Sequence, residues 1–241
     1  MSPRIKTIVF DFDDTLVETG VLFHEVLDSL VSTITSALPG TPPPAADILK
    51  TQSRFDIELV EQMGVVPERF AQSLIRTYRF YLEKYGLSSE PEREAFLERE
   101  GARAFHDLPA LSEDTLMVLK TLKDREKILY TWGLPEIQMR RLGRLHLTSY
   151  FSEIHCVPAK TTTAMKRVIG TRDPDSVLIC GDSLRSEIAP ALELGCHAAH
   201  LRRPDGWDYH NVPVSGNYHL LSRLGDLLGV IGDLDAKPDS R

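Results

Sequence analysis

Five short runs of β-branched and apolar residues punctuate the chain, at positions 6–10, 127–131, 154–157, 177–180 and 197–201. Apolar runs of this length, bounded by turn residues, predict strands buried on both faces. Between the last four runs lie patterns of helical period, as in Ile137, Arg141 and Leu145, or in Ile188 and Leu192 closed by Gly195. Strands that alternate with helices imply an α/β core, a doubly wound and mostly parallel sheet with helices on both faces.

The stretch 16–108 breaks that alternation. It reads as several amphipathic helices interrupted by PGTPPP at 39–44, Gly64, Pro67, Gly86 and Pro91. The pattern predicts a helical cap inserted after strand one, so that 1–15 and 109–241 form the core and 16–108 the insert. The aromatic series Phe70, Tyr78, Phe80, Tyr81 and Tyr85 has the spacing of a buried helical stripe. A further helix is expected over 112–125 with Ser112 as its N-cap, and the terminal DLDAKPDSR, being polar, is expected to fray.

Composition narrows the classes. At 241 residues and 42% apolar, the chain can bury one sizeable core and a smaller lobe. It has no predominantly apolar stretch of 18 uncharged residues, the run 29–46 being rich in Ser, Thr and Pro, so no membrane partner is expected. A net charge of −7 gives no support to a nucleic-acid surface, and the short clusters Arg140/Arg141/Arg144 and Arg202/Arg203 read as a solvated helix face and a loop. The three cysteines, Cys156, Cys180 and Cys196, lack metal or disulfide spacing and are expected to be buried, reduced thiols. The opening MSPRIKTIVF lacks the pattern of a secretory leader, and together these features point to the cytoplasm. The eight histidines are scattered, and the closest pair, in HAAH, falls in a candidate strand, so zinc is not indicated.

The chemistry concentrates in VFDFDDTL, where Asp11, Asp13 and Asp14 follow the first strand within four positions. In a doubly wound sheet, ligands bind at the carboxyl ends of the strands. That edge also receives Thr131 from strand two, Lys160 after strand three, and Asp182 within VLICGDSLRSEI from strand four. Crowded carboxylates repel one another unless a hard, oxygen-liganded cation such as Mg²⁺ lies between them, with Asp182 adding a further carboxylate. A cation so placed makes Asp11 a competent nucleophile toward a phosphate. Residues 11 and 13 of an extended segment face the same side, which lets Asp13 give a proton to a leaving oxygen. Lys160, the Thr131 hydroxyl and the loop amides around Trp132 and Asp14 are candidate ligands for the non-bridging oxygens.

At these residues the sequence resembles the haloacid dehalogenase (HAD) superfamily. DFDDT matches its first motif, DxDxT, while Thr131, Lys160 and GDSLRSE match the second, third and fourth. The resemblance implies a HAD-like Rossmannoid core and a Mg²⁺-dependent phosphatase working through an aspartyl-phosphate. It makes Asp11 nucleophile and ligand, Asp13 general acid/base and a ligand through its carbonyl, Asp182 a ligand, and Lys160 a clamp on nucleophile and phosphate. The insert of roughly 90 residues looks like the cap of the C1 class, and the 29 positions from Thr131 to Lys160 leave no room for the alternative cap. Three departures stand out. Glu187 occupies a position that is commonly Asp, which leaves it to reach the metal, a metal-bound water or Lys160 differently. Trp132 replaces a small or polar residue and can narrow the site or stack on a substrate ring. Lys160 is followed by Thr161 where Pro is frequent, with Lys166, inside the next helix, as the fallback.

Ser183 and Arg185 read as loop residues beside the site, and Glu18 and Thr19 as hinge or packing residues. The expected partner is a small phosphorylated metabolite; the oligomeric state is not legible. Three other functions compete: a phosphomutase, a haloacid dehalogenase on the same fold, and a catalytically idle binding protein. The dehalogenases also use a nucleophilic Asp, but the resemblance implies that they lack the second aspartate and need no metal.

Overall fold

The computed structural model describes residues 4–204 and 206–236. The chain divides into two units, Met1–Gly20 with Pro109–Arg241, and Val21–Leu108. Residues 16–20 therefore belong with the first unit, whereas the sequence pattern assigns them to the insert. Val17 bridges to Leu111, and the Ser112 N–H donates to the Leu16 carbonyl, so this segment is stitched to the chain that re-enters at Pro109.

In the first unit six strands, β1 (Thr7–Phe10), β2 (Glu126–Trp132), β3 (Glu153–Val157), β4 (Val177–Gly181), β5 (His197–Leu201) and β6 (His219–Leu221), form one sheet in the order β3-β2-β1-β4-β5-β6. Every pairing is parallel. The near-continuous apolar runs of β1, β2, β4 and β5 follow from burial on both faces, whereas β3, at the sheet edge, is half-buried throughout, contrary to the expectation of full burial. Ile8 and Phe10 pack in one layer with Leu129, Leu178 and Cys180, while Val9 packs in the other with Ile128, Tyr130 and Ile179. The chain order turns back between β1 and β4, which places the ligand-binding crevice at their carboxyl ends.

Several elements differ from the sequence expectation. Strand one starts at Thr7, although Lys6 still bonds the chain on both sides, through the Ser176 carbonyl and the Glu126 N–H. Strand two gains a residue at each end, including Trp132. Strand six was not anticipated: it has three residues, and Leu220 is largely exposed, so it shows no readable period. Cys196 lies just before β5, and Cys156 is half-buried in β3 where a fully buried thiol was expected.

The second unit is helical: α1 (Thr19–Ala37, whose first two residues belong to the other unit), α2 (Ala45–Met63), α3 (Pro67–Lys84) and α4 (Pro91–His106). Pro67 and Pro91 occupy first helical positions, where a missing N–H costs nothing. Phe23, Phe70 and Phe105 meet edge to face at its centre. Of the anticipated aromatic stripe, Phe70, Tyr78 and Tyr81 are buried, but Phe80 is exposed.

Helices α5 (Thr115–Thr121), α6 (Pro135–Arg144), α7 (Thr162–Ile169), α8 (Ala189–Glu193) and α9 (Leu227–Ala236) complete the first unit. Helix α5 is shorter than expected and Asp114, not Ser112, holds its N-cap position; Ser112 instead accepts a bond from Arg203. The chain is helical to Ala236, where fraying was expected, because Asp235 accepts from the Ile5 N–H and from Arg125. The rest of that expectation, over 237–241, lies outside the described residues. No helix among the described residues is long and apolar enough to cross a membrane.

Helices α3 and α4 approach closely at Gly101, where an added Cβ would lie 2.7 Å from the Ala71 Cα. Helix propensity alone favours Ala over Gly by about 1 kcal/mol, whereas overpacking costs about 1–3 kcal/mol. Gly101→Ala is therefore expected to destabilise the protein on the order of 1 kcal/mol in denaturant unfolding; a stabilised variant would show that the helices can part freely.

Candidate active site

Every strand end named by the sequence delivers its residue within the first unit. After Phe10 the chain turns tightly: the Phe12 carbonyl accepts from the N–H groups of Thr15, Leu16 and Val17 while the Phe12 ring is buried. Asp11 thus sits at the mouth of β1 and is itself buried. Its Oδ1 accepts from Lys160 Nζ and its Oδ2 from Thr15 Oγ1 at 3.2 Å. Lys160 also donates to Glu187 Oε1 at 2.7 Å, and Glu187 Oε2 accepts from the Ser183 N–H at 2.9 Å. Lys160, not the exposed Lys166 of α7, therefore supplies the ammonium.

Gly181 explains how Glu187 fits. A Cβ there would stand 2.5 Å from Glu187 Cγ, so the glycine that ends β4 leaves the space the glutamate fills. Glu187 lies in a single π-type turn, Leu184–Ile188, whose start is capped by Ser183 Oγ accepting from the Ser186 N–H. Ser183 is thus a structural part of the loop, as its sequence position suggests.

Burial pushes the Asp11 carboxyl well above the ordinary carboxylate range; Lys160 opposes this, while Glu187 and Asp182 add to it. Burial would pull the Lys160 ammonium down, but Asp11 and Glu187 hold it above its usual range. Asp182 is held low in spite of its burial, first by the His210 imidazole, whose Nδ1 lies 3.1 Å from Asp182 Oδ2, and then by Lys160. The same contact outweighs the burial of His210 and pushes its imidazole up to about 9. His200 Nε2 donates to the Asp182 carbonyl at 2.9 Å.

Asp13 is held separately. Its carboxylate accepts from Thr19 Oγ1 at 2.7 Å, Gln138 Nε2 at 2.6 Å and Arg141 Nη1 at 3.2 Å. The Gln138 amide reaches Thr131 Oγ1 as well, at 2.8 Å, joining α6 to the ends of β1 and β2. Asp14 has a third environment. Its φ of 56° is left-handed, a conformation Asp tolerates better than most residues. Its carboxylate accepts from the Gly20 N–H at 2.6 Å and its carbonyl from Arg203 Nε at 2.6 Å. Burial, then the charge of Asp182, push Asp14 up to about 7 against the Gly20 bond. The Asp14 side chain thus braces the turn, whatever its amide contributes to an anion.

Two arginines overturn the expectation of solvated charge. Arg141 is buried on Asp13, and Arg203 also reaches Glu18 and Ser112, both at 3.2 Å. Gln138, Arg141, Arg203 and His210 were not anticipated as site residues. The available signal was that Gln138 and Arg141 share the inward face of α6 with Ile137 and Leu142. Trp132 lies beside the constellation, its Nε1 donating to the Pro158 carbonyl at 2.6 Å.

The donor set fits a hard cation. One oxygen from each of Asp11, Asp182 and Glu187 lies within 4.8 Å of the others, and all three residues are buried. Against these carboxylates stand one ammonium, Lys160, and the His210 imidazole, leaving an acidic excess at an all-oxygen site suited to Mg²⁺.

A sequence profile of the haloacid dehalogenase-like hydrolases matches residues 5–195. No curated protein sequence matches the chain. Among solved structures, a haloacid dehalogenase-like hydrolase from Xanthomonas campestris is similar at 18% identity over 98% of both chains, with a TM-score of 0.74. The HAD-hydrolase assigned as YfnB from Bacillus subtilis, bound to magnesium, shares 18% identity over 95% of this chain and 99% of its own, with a TM-score of 0.65. The L-2-haloacid dehalogenase of Xanthobacter autotrophicus shares 18% over 95% and 98%, with a TM-score of 0.60.

Removing the buried ammonium leaves Asp11 and Glu187 without their shared partner. In metal-free buffer at pH 7, Lys160→Met is expected to cost about 3–5 kcal/mol of stability. Asp11, with its raised folded pKa, takes up a proton as pH falls, so the loss should shrink toward pH 5. Denaturant midpoints at both pH values check this; equal losses at the two would remove Asp11 as the origin of the effect.

Proposed function

The chain belongs to the haloacid dehalogenase-like hydrolases, and from that premise we propose that it is a Mg²⁺-dependent phosphatase that releases phosphate from a small phosphorylated metabolite through a phosphorylated Asp11. The observation that carries this reading is the presence of two separately held aspartates. Asp11 is paired with Lys160, and Asp13 is gripped by Thr19, Gln138 and Arg141. A single nucleophilic aspartate suffices to displace a halide from carbon, whereas an alkoxide leaving group calls for a second group that donates a proton.

In the first half-reaction an Asp11 oxygen attacks phosphorus, and the bond from phosphorus to the ester oxygen breaks. Asp13 gives its proton to that oxygen, and the alcohol departs. In the second, water loses a proton to Asp13 and attacks phosphorus, the bond to Asp11 breaks, and phosphate leaves with Asp13 protonated again. Lys160 and the Thr131 hydroxyl bind non-bridging oxygens, and Lys160 opposes the burial that disfavours the ionised, attacking form of Asp11. Asp11 and Asp182, with the Asp13 carbonyl and with Glu187 close by, would hold Mg²⁺, which supplies charge neutralisation between nucleophile and phosphate. The free cysteines support a reducing compartment such as the cytoplasm.

A second reading, dehalogenation of a 2-halo acid, is favoured by one feature: His210 beside Asp182 supplies positive charge without a metal. The two readings separate cleanly. Purified protein is expected to release phosphate from an aryl phosphate with Mg²⁺, to stop in EDTA and to resume when Mg²⁺ is restored; metal-independent chloride release from a 2-chloro acid would reverse the assignment. Asp11→Asn, nearly isosteric, is expected to abolish turnover while leaving the fold largely intact by circular dichroism. Asp13→Asn is expected to lower kcat by about 10²–10⁴-fold, the range of a lost general acid/base, and stopped assays at saturating substrate measure it.

A further inference from the structure

A set of aromatic side chains near the strand ends takes no part in the chemistry above. Trp132 closes β2, and its ring meets Tyr209 at 5.8 Å between centroids. Tyr209 stacks on Trp207 at 4.8 Å and 28°, and the Arg185 guanidinium lies 4.5 Å from its centroid while Arg185 Nε donates to its carbonyl at 2.8 Å. The next residue, His210, bonds Asp182. Strands β2 and β4 flank β1, and neighbouring strands are about 4.8 Å apart. The contact from the end of β2 to the segment anchored at Asp182, after β4, therefore spans the end of β1, where Asp11 sits.

Both ends of this span are fixed. Trp132 is pinned by its bond to Pro158, and Tyr209 by Arg185 and Trp207. All three rings are only half-buried, unlike the fully covered Tyr130 in the layer beneath. This partly open aromatic surface lies one residue from Thr131, which the phosphatase reading makes a phosphate ligand. Resting on the phosphatase reading, we infer that the Trp132 indole, backed by Tyr209, is the platform on which the leaving group stacks. The preferred substrate is then a phosphomonoester with a planar aromatic ring one short linker from the ester oxygen.

The test compares benzyl phosphate with cyclohexylmethyl phosphate, which match in size and in alcohol leaving group but differ in planarity. With Mg²⁺, the wild-type protein is expected to favour benzyl phosphate by about fivefold in kcat/KM, the order an aromatic pair contributes beyond burial. The ratio should fall to within about twofold in Trp132→Leu and Tyr209→Leu and persist in Trp132→Phe. Equal efficiencies in the wild type, or a ratio unchanged by Trp132→Leu, overturn the platform while leaving the phosphatase reading intact. If the Leu variant fails to fold, the wild-type ratio and Trp132→Phe decide. If neither ester is cleaved, the phosphatase reading fails by itself, and calorimetric titration with benzylphosphonate and cyclohexylmethylphosphonate decides the platform: tighter benzyl binding supports it, and equal or absent binding of both overturns it.

Discussion

A buried ammonium shared by two buried carboxylates is the interaction on which the arrangement depends. Lys160 touches both Asp11 and Glu187, and each of the three side chains is almost wholly removed from water. Charges so placed are tolerable only as a group, because desolvation penalises each one alone. The loop after β3, the turn after β1 and the π-type turn after β4 must therefore close together. The ion triad fixes three separate segments at once, and the remaining polar groups take their positions from those segments.

The adjacent carboxylates of the first motif illustrate how backbone geometry divides labour. Asp11 faces Lys160, Asp13 faces the α6 side chains Gln138 and Arg141, and Asp14, turned left-handed, braces Gly20. Like charges that seem crowded in one dimension occupy three distinct environments, each with its own donors. The turn at Phe12 gives each carboxylate its own donors, while Asp182 still raises both Asp11 and Asp14 by its charge.

The parallel sheet was legible because short apolar or β-branched runs mark five of its six strands, four of them largely buried and the edge strand β3 half-buried throughout. Three-residue β6 bears no such mark, since half its surface pattern is solvent. The residues at the strand ends were legible as well, because their chemistry is local: an acidic pair after an apolar run, a Gly-Asp after another. Gln138, Arg141, Arg203 and His210 were not, because the aspartates they meet lie between 28 and 189 positions away and nothing beside them in sequence announces the contact. Arg141 shows the limit clearly. One of a cluster of arginines on a helix reads as solvated until the sheet brings an aspartate to meet it. Ser112 failed as a cap for a related reason, since its hydroxyl was claimed by Arg203 from a distant segment.

Gly181 carries an implication for heredity. The room that Glu187 occupies exists only because position 181 lacks a side chain. A bulkier residue at 181 evicts the glutamate, and a shorter acid at 187 leaves a void while no longer spanning to both Lys160 and the Ser183 amide. The two positions are thus a single inherited unit, and a lineage that alters one is driven to alter the other before the pocket can again hold its ions in balance.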